Sequence, residues 1–251
     1  MNEGMENGKK AAFGGTLLFL AVIGVRVGMI YRERNAPEKS APAPVREKMP
    51  DDDLVFLKHK RQDKMADTDE LIGKPLWVSA GGQMEYYPAT GKRVDYTKVA
   101  GTLLGAEKLD IKGFTQQVAP KAATYRVPGG DRQVLMLFSL PNSVAPGTVY
   151  GVPVGFHKDD LYTFYLDEIF FYDDPHTLYK HWGPEVWKAI DSHQVILGMS
   201  ERQTQMALGQ VSRSLSNDYG NRLVVYANLG KPFAVTFVKN KATAFRPDQG
   251  F

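Results

Sequence analysis

The chain has 251 residues, of which 43% are hydrophobic and 24% charged, and its formal net charge is +3. These values resemble those of average globular proteins, and the length allows one or two domains. The sequence contains no cysteine, which excludes disulfides, thiolate nucleophiles, zinc–thiolate sites and a lipidated cysteine anchor. Positive residues gather near the N-terminus and are mixed with acidic ones after Leu71, so we expect no nucleic-acid partner.

A hydrophobic segment follows an N-terminal tail at residues 1–10. Residues 11–31 contain a single charged residue, Arg26, and about twenty helical residues suffice to cross a ~30 Å hydrocarbon core. We therefore predict a transmembrane anchor over 11–31, with the lipid bilayer as its partner. A cleaved signal peptide is the alternative, since Lys9 and Lys10 precede the hydrophobic run.

Residues 32–70 are predicted to link this anchor to the rest of the chain. The stretch 35–53 is rich in proline, alanine and charge, which is typical of a semi-rigid extended spacer. A short helix is expected within residues 54–70, because Asp51–Asp53 place negative charge near its N-terminus.

From residue 71 onward, short apolar runs alternate with turn residues. Runs such as Val134–Leu140 and Leu161–Tyr172 are separated by turn signals such as Gly81-Gly82. This spacing predicts a β-rich domain over residues 71–174, either an antiparallel sheet or a small barrel. Its sequence resembles no functional family that we recognise.

The next predicted domain covers residues 175–251 and begins with helices. Asp174 is a suitable N-cap, and Pro175 fits the first helical position. A second helix is expected from Glu185 to about Gln194, because its apolar residues recur at helical spacing.

Residues 185–245 contain a series of short motifs after this second helix. The motifs are GMSERQ at 198–203, MALG at 206–209, NRLVVY at 221–226 and AVTFVKNK at 234–241. Ser200 and Gln203 within the first motif are typical of a capping box. The series resembles the BamE/SmpA/OmlA family of small envelope domains. That resemblance implies two helices on a three-stranded antiparallel sheet, and a domain that works by protein contact without catalytic machinery.

The best candidate for chemistry is the acidic and histidine cluster at residues 167–181. Asp173, His176 and His181 are weak candidates for metal ligands, because carboxylates and imidazoles bind divalent cations. His176 and His181 are five residues apart, so on one helix they would point about 140° away from each other. Neither a nucleophile elbow nor a phosphate-binding loop is present. We therefore predict no catalytic residue, no metal site and no cofactor.

Several large side chains near the C-terminus are candidates for a protein interface. These are Tyr179, Trp182, Trp187, Arg222 and Tyr226. Tyrosine, tryptophan and arginine are common interface anchors. The alternative is that the aromatic rings fill the groove between the middle and C-terminal domains.

The sequence thus predicts an α+β protein with a transmembrane helix, a β-rich middle domain and a C-terminal helix–sheet domain. We predict a non-catalytic interaction or scaffold protein of the bacterial cell envelope, which contacts another envelope or membrane protein. We expect it in the inner membrane with a periplasmic soluble region. Two alternatives remain: an accessory single-pass subunit of an inner-membrane complex, and a metal-dependent enzyme that uses the 167–181 cluster.

Overall fold

The computed structural model describes residues 24–32, 34, 51–120, 132–145 and 147–250. Residues 24–32 and 34 are helical, but most of the predicted anchor and of the 35–53 spacer lies outside the described residues. Within the described ranges, no helix combines the length and the apolar character that a membrane crossing requires. The chain divides into two compact units, Met1–Met49 and Pro50–Phe251, and the second contains both β-sheets.

The larger sheet of this unit is antiparallel. Its strands are β1 (Pro75–Val78), β2 (Glu85–Thr90), β3 (Arg93–Val94), β4 (Gly101–Thr102), β5 (Lys108–Val118), β6 (Arg132–Ser139), β7 (Tyr150–Lys158), β8 (Leu161–Phe164) and β9 (Phe170–Phe171). Their order is β3-β2-β7-β6-β5-β1-β9, with β4 paired to β2 and β8 paired to β7. The apolar strand β6 therefore lies at the centre of the sheet.

Strand β6 is buried on both faces, which explains its almost continuous apolar sequence. Val134, Met136 and Phe138 pack into the larger core on one face. Leu135 and Leu137 pack into a smaller cluster on the other face, because successive side chains of a strand alternate between faces. A run of apolar residues without alternation is the pattern expected of such a strand.

In the described part of this unit, four short α-helices and a second sheet accompany the larger sheet. The helices are α1 (Leu166–Ile169), α2 (Pro175–Leu178), α3 (Pro184–Asp191) and α4 (Glu201–Leu208), and the strands are β10 (Ser212–Arg213), β11 (Leu223–Tyr226), β12 (Phe233–Val238) and β13 (Lys241–Pro247). The second sheet has the order β10-β11-β12-β13. Short 3-10 helices lie at Asp51–Leu54, Met65–Leu71, Lys180–Trp182 and Asn228–Gly230.

These elements confirm the prediction of an α+β chain with antiparallel sheets. The second sheet, however, has four strands where three were expected, because Ser212 and Arg213 pair with Tyr226 and Val225. A two-residue strand is too short to produce an alternating pattern, so the sequence carried no signal for it.

The segment after the spacer also differs from its prediction. Residues 55–64 are not helical; 3-10 helices lie on either side of them, at Asp51–Leu54 and Met65–Leu71. The N–H groups of Lys60 and Arg61 instead donate to the carboxylate of Asp167, each over 3.0 Å. This contact joins residues more than a hundred positions apart, so local sequence could not reveal it.

The large sheet and the C-terminal helices share one core. Ala106 and Phe171 belong to the large-sheet part, and they pack with Tyr179 and Met206 in a single buried cluster. The backbones also approach closely, since a Cβ on Gly105 would lie only 2.1 Å from the carbonyl oxygen of Met206. Glycine is therefore required where α4 meets the loop before β5.

Candidate functional site

The predicted interface aromatics lie inside the protein. Tyr179, Trp182, Trp187 and Tyr226 are all buried in the core that joins the large sheet to the C-terminal helices. The Trp182 ring stacks on Tyr179 at 4.4 Å and on Trp187 at 5.1 Å between ring centroids. The prediction that these rings contact a partner is therefore corrected: they fill the space between the two parts, as the alternative proposed.

Arg222, the remaining interface candidate, has an internal partner. Its Nε donates to Oε1 of Glu201 over 3.1 Å, and its Nη2 makes a second bond to the same carboxylate. The Gly220 N–H also donates to Glu201, over 3.0 Å. The Glu201 side chain is completely buried, so Arg222 neutralises a charge inside the fold, and this ion pair raises the pKa of Arg222.

The weak metal-ligand candidates have separate partners. Asp173 accepts a hydrogen bond from Nζ of Lys58 over 2.6 Å, and Nε2 of His181 lies 2.6 Å from Asp52. His176 has two other carboxylate neighbours, Asp174 and Asp191. Across the described ranges, no group of three or more histidine or acidic side chains is arranged to hold a metal ion.

A cleft of about 410 Å³ lies between the large sheet and the C-terminal helices. We call it the histidine cleft. Among its lining residues are Trp77, Glu107, Asp174, His176, Asp191 and His193. Clefts of this volume at the junction of two parts of a fold are frequent ligand sites.

His176 bridges two carboxylates at the wall of this cleft. Its Nδ1 lies 2.8 Å from Asp174, which also caps α2, and its Nε2 lies 3.1 Å from Asp191 at the end of α3. Its ring packs on Trp187. Burial alone would lower the pKa of His176, but hydrogen bonds to Asp174 and Asp191 outweigh it and raise that pKa.

Burial shifts two further groups in the histidine cleft. It raises the pKa of Glu107, against a weaker opposing effect of the Leu104 N–H. It lowers the pKa of His193, although the Ala207 backbone and Asp191 partly oppose the change. Each shift favours the neutral form, and neither residue forms an ion pair with another residue in the described part of the chain.

The contacts of His176 predict a pH dependence of stability. Because its folded pKa is raised, its contribution is complete below about pH 6.5 and is lost as pH rises through that raised pKa. The side chain is 39% exposed, so solvent screening limits the effect to roughly 0.5–1 kcal/mol. We expect His176→Gln to lower the free energy of unfolding at acidic pH more than at alkaline pH.

Urea unfolding of wild type and His176→Gln from about pH 5.5 to about pH 9 measures this difference. Asp191→Asn should weaken the pH dependence by removing one of the two carboxylates. A difference between wild type and His176→Gln that grows with rising pH would contradict the assignment.

A second concave surface lies on the C-terminal sheet. We call it the sheet groove; it has a volume of about 340 Å³ and is lined by Arg213, Ser214, Leu215, Ser216, Leu223 and Val225. Leu215 is fully exposed and Leu223 is 45% exposed. Val224 and Tyr226, the alternating residues of β11, point into the core, so the groove occupies the opposite face of the sheet.

Sequence reasoning missed this groove. Leu215 stands alone in the polar stretch SRSLSNDYG at 212–220, where a single leucine carries no periodic signal. The groove forms only because this loop folds beside β11, which comes later in the chain. The predicted interface residues were instead the large aromatic ones, whose size also suits a core.

The chain was compared with protein-family models, curated proteins and solved structures. In all three comparisons, nothing matches this chain. The resemblance of residues 185–245 to the BamE/SmpA/OmlA family therefore stays a prediction.

Proposed function

We propose that this protein is a non-catalytic, membrane-anchored interaction protein of the bacterial cell envelope. In this proposal its C-terminal sheet binds a segment of another envelope or membrane protein in the sheet groove. The observation that supports the proposal most is the apolar character of that groove, in which Leu215 and Leu223 are exposed. Exposed apolar residues that meet in one concave surface are typical of protein interaction sites.

The geometry of β11 explains why its side chains line the groove, with Leu223 45% exposed and Val225 buried at its floor. Leu223 and Val225 are two residues apart on one strand, so they point to the same face of the sheet. Among the helices in the described ranges, α3 and α4 contact the opposite, core-facing side chains of this sheet. Leu215 closes the side of the groove from the loop after β10.

The charges beside the groove indicate the chemistry of the bound segment. Arg213 lies opposite Val225, and Val225 lies opposite Ala234. Ala234 in turn lies opposite Arg246 on β13. Residues directly opposite on neighbouring strands face the same side, so two buried apolar residues lie between two exposed arginines. A segment with apolar side chains flanked by aspartate or glutamate would complement this row.

Because the chain lacks cysteine, a single Leu215→Cys substitution gives one defined position for a photocrosslinker in native membranes. We expect it to form one discrete product with another envelope or membrane protein. The matched control is Val144→Cys, since Val144 is equally exposed but lies outside the groove. Mapping of the crosslinked peptide should find apolar residues beside acidic ones.

A second substitution tests whether the groove itself makes the contact. Leu223→Glu places a carboxylate among apolar groups, so the Leu215 crosslink should fall at least about tenfold. Because Leu223 is nearly half exposed, the melting temperature should change little. The identity of the product separates a free envelope partner from a subunit of an inner-membrane complex.

Three results would contradict the proposal. They are equal crosslinking from Val144 and Leu215, a Leu215 product that persists in Leu223→Glu, and a product made of two copies of this chain. The last result would assign the groove to self-association.

A further inference from the structure

Three apolar side chains are exposed at the beginning of the compact unit. Phe56 is 87% exposed, Leu54 is 52% exposed and Leu57 is 38% exposed. Their neighbour Val55 packs against the buried core that contains Trp182. We call residues 54–61 the strap. A phenylalanine that remains almost completely in water forgoes about 1.5–3 kcal/mol of burial, so a nearby apolar environment would favour its transfer.

The strap is held in place by contacts at its C-terminal half. The Asp167 carboxylate accepts the N–H groups of Lys60 and Arg61 over 3.0 Å each, and the Tyr172 hydroxyl over 2.7 Å. Burial alone would raise the pKa of Asp167, but these bonds outweigh it and lower that pKa. Lys58 forms an ion pair with Asp173 at 2.6 Å. The exposed side chains thus project from a fixed backbone.

Chain length limits the distance between the strap and the predicted membrane segment. The predicted membrane segment ends at residue 31, so 22 residues, 32–53, separate it from Leu54. As a semi-rigid extended spacer, at about 3.1 Å per residue, this tether reaches about 70 Å. It therefore keeps the lipid surface within reach of Phe56.

The charges of this region favour apolar insertion over attraction to anionic lipid. Across residues 51–61, Asp51, Asp52 and Asp53 balance Lys58, Lys60 and Arg61. A segment with no net positive charge is attracted only weakly to a negatively charged lipid surface. Any membrane contact should therefore depend on the three apolar side chains and only weakly on lipid charge.

We propose that Leu54, Phe56 and Leu57 insert into the lipid–water interface beside the anchor and hold the compact unit against the membrane. This inference rests on the proposed function, because it requires the chain to be anchored in the bilayer. Aromatic and leucine side chains are the usual residues of such interfacial contacts. A second contact would limit rotation of the compact unit on its tether and restrict the directions that the sheet groove can face.

The experiment uses the full-length chain with Phe56→Cys, labelled with an environment-sensitive fluorophore and reconstituted into phosphatidylcholine vesicles. The control is Leu161→Cys, because Leu161 is similarly exposed at 72% but begins β8 in the large sheet. We expect quenching by a bilayer-embedded quencher to be at least about twofold stronger at position 56 than at position 161. Addition of phosphatidylglycerol should change this ratio little.

Separate readouts distinguish failure of the inference from failure of the proposed function. If the full-length protein is removed from vesicles by alkaline carbonate, the membrane anchor fails, and the proposed function fails with it. If the protein stays integrated but the labels at 56 and 161 are quenched equally, only the strap inference is overturned. Protection of position 56 in native membranes but not in lipid vesicles would also overturn it, since a protein would then cover the strap.

Discussion

Replacement of Arg222 by alanine is expected to lower the free energy of unfolding of the compact unit by about 3–5 kcal/mol. The Glu201 carboxylate is completely buried and accepts hydrogen bonds from Arg222 and from the Gly220 N–H. Without the guanidinium, a buried negative charge would keep only backbone donors. This is the situation in which removal of one member of an ion pair is most destabilising.

Glu201→Ala should have a smaller effect than Arg222→Ala. The Arg222 side chain is 19% exposed, so water can reach it when the carboxylate is removed. Glu201→Ala also loses the favourable interaction of a negative charge with the N-terminus of α4, but that interaction is worth only about 0.3–1 kcal/mol. A larger loss of unfolding free energy in Arg222→Ala than in Glu201→Ala would therefore show that the carboxylate is the fully desolvated member of the pair.

Urea unfolding, followed by tryptophan fluorescence, measures both effects. Arg246→Ala is the control, because Arg246 is an exposed arginine on β13 and its loss should change stability by no more than about 0.5 kcal/mol. Equal stability of Arg222→Ala and Arg246→Ala would contradict the structural role. It would return Arg222 to the partner interface that its sequence position suggested.

Gly105→Ala is expected to have the second large effect, a loss of about 3 kcal/mol or more. The added Cβ would lie 2.1 Å from the Met206 carbonyl oxygen and 3.1 Å from its carbon. Both atoms belong to the backbone of α4, so no side-chain rotation can relieve the overlap. The helix would have to move away from the large sheet and disturb the core that they share.

Gly147→Ala is the matched control, because a Cβ at Gly147 would meet nothing within 4 Å. That substitution should be neutral or slightly stabilising, since it reduces the conformational entropy of the unfolded chain. Thermal unfolding of the two variants provides the comparison. Similar melting temperatures would show that α4 and the loop before β5 are not in close contact.

Local features were predictable where neighbouring residues decide them. Asp174 caps α2 through the His176 N–H, and Ser200 forms a capping box with Gln203 at the start of α4. Strands β11 and β12 follow each other in the chain and pair as an antiparallel meander. Such features depend on side chains that act within a few residues of each other.

The candidate site was much less predictable. The large aromatic residues near the C-terminus suit a partner interface and a core equally well, and burial alone separates these roles. The neighbours of His176 are a further example, because Asp191 comes from a different helix. Leu215 and Leu223 likewise become one groove only when a loop folds beside β11.

The sequence by itself determined the α+β class, the helix caps and the apolar central strand, because these follow from periodicity and from hydrogen bonds between near neighbours. Tertiary structure alone decided the side-chain environments. It buried Tyr179 and Tyr226, paired Arg222 with Glu201, and left Phe56 and Leu215 exposed. These outcomes depend on contacts between distant segments, and composition and spacing carry no information about which segments meet.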